Sequence, residues 1–154
     1  MKARMSHPIM TIPGAYDALQ ALSKAASQSG LPATTIALVH LRASQINGCS
    51  VCVQMHSAEL QKEGESDQRI WGVGAWREAP FYTDAERAAL ALTEAVTRLA
   101  DKADPVPDAI YDEAARYFDQ KQLASLILHI GQINIWNRLN ATIKAPVPSA
   151  ASAG

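Results

Sequence analysis

No run of the 154-residue chain approaches the roughly eighteen consecutive apolar side chains of a membrane span, and the opening MKARMSHPIMTIPG lacks the apolar core of a secretory leader. A cytoplasmic protein without a membrane partner is expected. Charge is balanced, with 14 Lys plus Arg against 15 Asp plus Glu and a formal net charge of -1, and no basic block interleaves with aromatics. Nucleic acid is therefore not an expected partner. Period-2 alternation and internal repeats are both missing, which excludes sheet sandwiches and solenoids. Cysteine is nearly absent. The only two, Cys49 and Cys52, lie so close together that a bridge between them would constrain little of the unfolded chain, so a structural staple is the weak reading.

What remains is a helical pattern in one domain, with 48% hydrophobic residues to fill its core. Residues 1–14 carry Pro8, Pro13 and Gly14 without a period and read as an N-terminal arm. Leu19, Leu22, Ala25 and Ala26 give an amphipathic helix from Tyr16 to Ser29, stopped by Gly30. Residues 33–46 contain the strand-like run Ile36-Ala37-Leu38-Val39 but are too long for a strand, so a helix is predicted. A second helix should run from Cys49 to Glu63 and a short one from Ser66 to Trp71. The capping box Thr83-Asp84-Ala85-Glu86 opens a helix to Leu99, on which Glu86 and Glu94 fall off the apolar stripe. Asp108–Phe118 and Gln122–Ile143 complete an all-α domain spanning residues 15–143, and the small, prolyl residues 144–154 read as a disordered tail.

The chemistry concentrates in Gly48-Cys49-Ser50-Val51-Cys52-Val53-Gln54-Met55-His56. Asn47-Gly48 breaks the preceding helix, so both sulfurs should stand in the first turn of the next, where unpaired N–H groups favour thiolate. Helical Cα atoms three apart are separated by about 5 to 5.5 Å, which permits a dithiol–disulfide cycle. His56 lies one turn after Cys52 on the same face, within reach as a base. A metal site is the rival reading, with Cys49, Cys52 and His56 as ligands and His40 or His129 as a fourth. The spacings of known zinc modules are not reproduced, so neither metal nor cofactor is expected. Among apolar neighbours, His40 and His129 read first as packed residues, and Trp71, Trp76 and Trp136 read as core or interface anchors. Arg138 and Glu78 have the charges for an interface ion pair.

The stretch Leu41-Arg42-Ala43-Ser44-Gln45-Ile46-Asn47-Gly48-Cys49-Ser50-Val51-Cys52, followed by Met55-His56, resembles the AhpD-like alkylhydroperoxidase branch of the carboxymuconolactone decarboxylase family. The likeness continues through Ala75–Pro80, Asp84–Leu92 and Ile133–Leu139. It implies an all-helical fold and a homo-oligomer built on intertwined dimers, often a trimer or hexamer. It also implies a peroxidase that reduces a hydroperoxide substrate at the expense of an external dithiol. Carried onto this sequence, Cys52 is the attacking thiol, Cys49 the resolving one and His56 the histidine that deprotonates them. The decarboxylase branch typically lacks the Cys pair, which makes a carboxymuconolactone-decarboxylase-like activity the weaker alternative. The peroxidase pattern places Glu where this chain has Ala37; His40 or Glu59 can substitute in the proton relay. A redox-sensing or binding protein with little turnover is the alternative that Ala37 keeps open.

Overall fold

The computed structural model describes residues 2–100 and 102–148, and among these every regular element is a helix. The arm holds a one-turn helix, α1 (Pro8–Thr11), and it is tied down rather than free, since the Arg4 N–H donates to the Ile143 carbonyl at 2.8 Å. The longer helices are α2 (Ala15–Ala26), α3 (Ala33–Asn47), α4 (Ser50–Lys62), α5 (Asp67–Gly72), α6 (Asp84–Thr97), α7 (Asp108–Tyr117) and α8 (Gln120–Ile143). Short 3-10 turns extend α2 at Ser27–Ser29 and α5 at Val73–Ala75. None of the helices among the described residues is long and apolar enough to cross a membrane. The tail's expected disorder falls partly on residues 149–154, which lie outside the described residues.

Side-chain caps explain where several helices start. The Thr83–Glu86 box forms as expected at α6. A second box, Asp119 with Gln122, starts α8 at Gln120, two residues before the apolar spacing begins. Cys49 is itself the N-cap of α4, with extended backbone and its Sγ accepting the Cys52 N–H, so it stands just outside the first turn where it was expected.

α3 is the central helix and packs against α4, α6 and α8. Being enclosed on several sides, it is apolar over most of its circumference, which explains the strand-like run in its sequence. Leu38, Val39 and Leu41 are all buried, each side chain contributing about 1.5–3 kcal/mol. One apolar cluster, including Val39, Leu92, Leu126 and Ile130, fills the space between α3, α6, α7 and α8. Another, including Leu38, Leu60, Trp76 and Leu90, joins α3 to α4, α5 and α6. Cys49, Cys52, Ala43 and Ile133 form a third at the meeting of α3, α4 and α8.

Two polar devices lock these helices. Glu94, off the apolar stripe of α6 yet only 6% exposed, accepts hydrogen bonds from Arg42 on α3 (2.7 Å), the Trp76 indole (2.9 Å) and Arg77 (2.6 Å). Burial alone would raise its carboxyl pKa, but these bonds outweigh that and hold it below the ordinary value. Glu86 is likewise buried, paired with Arg69. Trp71, in contrast, is 76% exposed and anchors nothing in its own chain's core. Arg138 donates to Asn134 of its own helix.

Candidate functional site

The turn between α3 and α4 sets the site. Gly48 adopts φ 67°, a left-handed conformation that glycine takes without Cβ strain, and the N–H groups of Gly48 and Cys49 return to the carbonyls of Gln45 and Ser44. Asn47 pins this turn to α8 by donating to Asn134 Oδ1 (3.0 Å) and Asn137 Oδ1 (2.9 Å), while Asn137 donates to Ser44 Oγ (3.0 Å). One turn further the same asparagine row reaches the chemistry, where Asn140 Nδ2 donates to Cys52 Sγ at 3.4 Å. The signal for these residues lies in the sequence as Asn134, Asn137 and Asn140, amides at every third position towards the C-terminal end of α8.

Cys49 and Cys52 are joined as a disulfide, with Cα atoms 5.3 Å apart, and both are almost fully buried. They face different spaces. Cys52 lines a cleft of about 780 Å³ between α2, α3, α4 and α8, whereas Cys49 lines a smaller depression of about 250 Å³ bounded by Gly48, Ser50, Asn140 and Lys144. Each sulfur has one N–H donor, Cys52 N–H for Cys49 and Asn140 for Cys52, and such donors favour thiolate once the bridge is reduced.

His56 also lines the cleft and is 4% exposed. Its Nδ1 lies 2.6 Å from Glu59 Oε2, one turn further along α4. A carboxylate only accepts, so the bond places a proton on Nδ1; in the neutral ring Nε2 is then a lone pair, buried without a protein partner. Ala37 lines the same cleft, its methyl standing where the resemblance places a carboxylate.

His40, read from the sequence first as a packed residue and also as a substitute in the proton relay, and His129, read as a packed residue and found buried, both line this cleft. Their rings form a row with His56, with centroids 4.8 Å apart from His56 to His40 and 5.3 Å from His40 to His129. Burial, reinforced by the neighbouring His56 and His129, holds His40 well below the usual imidazole pKa, and burial lowers His129 as well. Nothing in the spacing of α8 distinguished His129 from its apolar neighbours, because its role depends on α8 crossing α3. Among the described residues, no three His, Cys, Asp or Glu side chains are disposed to hold one metal ion.

The fold, an all-helical bundle carrying C-x-x-C at a helix start, is AhpD-like. The chain belongs to the carboxymuconolactone decarboxylase family, whose model matches residues 13–95. That region contains His40, Cys49, Cys52, His56 and Glu59; His129, Gln132 and Asn140 lie beyond it. Protein YdfG of Bacillus subtilis, itself uncharacterized, is 41% identical over 119 residues, covering 77% of this chain and 80% of YdfG. A crystal structure from Agrobacterium tumefaciens, of unknown function and a candidate antioxidant defence protein AhpD, superposes with a TM-score of 0.88 at 36% identity, covering 96% of this chain and 99% of its own. The debrominase Bmp8 shares the fold alone, with a TM-score of 0.81 at 22% identity, covering 94% of this chain and 77% of Bmp8.

Proposed function

We propose that the protein is a thiol-dependent peroxidase that reduces hydroperoxides through Cys49 and Cys52. The observation that carries this reading is the pairing, in one cleft, of a bridge-forming cysteine with a buried histidine whose Nδ1 is held by a carboxylate. Membership of the family and the likeness to a candidate antioxidant protein support it.

In the reduced protein, His56 Nε2 takes the Cys52 proton. The thiolate attacks the outer oxygen of ROOH, the O–O bond breaks, and RO⁻ leaves as ROH with the proton carried by imidazolium. Cys49 then attacks the Cys52 sulfenic acid, forming the disulfide and releasing water. An external dithiol completes the cycle: its thiolate attacks Cys49 through the second depression and expels Cys52 as thiolate, which Asn140 stabilises. Glu59 supplies the orientation of His56 that Ala37 cannot. A cytoplasmic setting, where thiols are kept reduced, suits this cycle.

Stopped-flow oxidation of the reduced protein by cumene hydroperoxide, followed by steady-state turnover with dithiothreitol, tests the reading. Multiple turnovers are expected, abolished in Cys52→Ser, with Cys49→Ser stalling at the sulfenic acid. A single stoichiometric oxidation without turnover would favour the redox sensor that Ala37 keeps open, and no oxidation would overturn both.

A further inference from the structure

Among the described residues, the buried polar side-chain atoms left without a hydrogen-bond partner in the protein are His40 Nε2, His56 Nε2, His129 Nδ1, His129 Nε2 and Gln132 Oε1. All belong to residues lining the same cleft. Leaving such groups unpaired costs about 1–3 kcal/mol each, so their convergence marks a surface shaped for hydrogen bonding to something the cleft receives. His56 is accounted for by the thiol chemistry. His129, 2% exposed, and Gln132, 5% exposed, are not, and both lie on α8 outside the region matched to the family.

We propose that His40, His129 and Gln132 form a second recognition site in the cleft, one that takes an uncharged hydrogen-bonding group of the substrate, a hydroxyl or carboxamide, while Cys52 meets the reducible group. Gln132 sets the polarity. Its Nε2 donates to the Leu19 carbonyl at 2.8 Å, so the atom left over is Oε1, which can only accept. A ligand must therefore bring an N–H or O–H. Alkyl chains and carboxylates bring none. The imidazoles agree, because burial keeps His40 and His129 neutral, and a neutral ring offers one N–H and one lone pair, the complement of an alcohol or amide rather than of an anion. A single metal ion does not fit, since the rings are not disposed to ligate one. Space is ample, because the cleft of about 780 Å³ is many times the roughly 30 Å³ share of one water. The inference rests on the peroxidase reading only for the identity of the reacting group.

The test uses three linear hydroperoxides of equal length ending in methyl, hydroxyl or carboxylate. Their single-turnover rate constants with the reduced protein are compared. The hydroxyl compound should react about tenfold faster than the methyl one, the scale of one net hydrogen bond, and the carboxylate should gain nothing. In His129→Phe and Gln132→Leu, whatever the absolute rates, the hydroxyl-to-methyl ratio should fall towards one. Equal rates for methyl and hydroxyl compounds in the wild type, preference for the carboxylate, or a ratio that survives both substitutions would each overturn the proposal. A second measurement needs neither variants nor turnover. Titrating the oxidised wild-type protein with 1,6-hexanediol should shift the imidazole resonances of His40 and His129, whereas hexanoate should not. If the diol shifts them and no hydroperoxide is consumed, the recognition site stands and the peroxidase reading falls. If hydroperoxides are consumed without preference and the diol shifts nothing, the site falls alone.

Discussion

His56 and Glu59 illustrate how one turn of helix makes a reactive pair. Because the carboxylate holds Nδ1, the lone pair on Nε2 is directed by a neighbour on the same helix, and no other element needs to move. Glu59→Gln keeps a hydrogen-bonding group but removes the charge that stabilises imidazolium. The rate of peroxide reduction should fall about tenfold, a fraction of the roughly hundredfold or more that a general base supplies. An unchanged rate in stopped flow would remove Glu59 from the mechanism. His40 makes a different prediction. Its pKa in the fold lies well below the ordinary 6.5, so the unfolded chain binds the proton more readily; stability should be full above 6.5 and decline as pH falls below it, with His129 acting in the same direction. Urea unfolding of the oxidised protein at pH 7.5 and 5.5 should show that loss, and His40→Gln should reduce it. Cys49, Cys52, His56 and Glu59 were legible in the sequence because they share eleven consecutive positions and helical spacing alone relates them. The placement of His129 and Gln132 in the cleft was not, since it exists only after α8 crosses α3 and α4, and the amide spacing that marks Asn140 does not by itself say that it meets Cys52.

At the level of elements, the helices were legible and their polar ties were not. Caps and chain breakers act within a few residues, so the Thr83 box and Gly48 could be read locally. Glu94 reads as solvated because it falls off the stripe of α6, and its burial follows from Arg42 and Trp76 arriving from elements 52 and 18 positions away in sequence. Removing one partner from such a buried set leaves uncompensated charge. Glu94→Ala should therefore cost about 3 kcal/mol or more, read as a lowered urea midpoint with unchanged slope. Acid should mimic part of this effect. The carboxyl is held below its ordinary 4.5, so its stabilisation is present above 4.5 and is lost as pH falls through the lower folded value. A mutant with the wild-type midpoint would mean that Arg42, Arg77 and Trp76 are satisfied by solvent instead.

For the whole molecule the telling surface is α8. One face packs on α3 and carries Leu126, Ile130 and Ile133, yet the opposite side is not polar: Leu128 (43% exposed) and Ile135 (41%) lie two turns apart on one line, with exposed Gly131 between them. A helix apolar on both sides is one that is covered on both sides. Among the described residues no further element covers the second, and the exposed Trp71 adds to the apolar surface that the monomer leaves in water. A second copy of the chain is the occupant that the resemblance to dimer-based oligomers favours, since a two-fold contact can place the same stripe against itself. Covering Leu128 and Ile135 is worth about 1.5–3 kcal/mol for each side chain fully buried. Light scattering coupled to size exclusion should then report a dimer or larger assembly at micromolar concentration. Leu128→Lys with Ile135→Lys should shift it towards the 16.6 kDa monomer while the helical circular dichroism persists. A wild-type protein that elutes as that monomer would show that the stripe is left to water, and an assembly untouched by both lysines would place the contact elsewhere, with Trp71 the next residue to test.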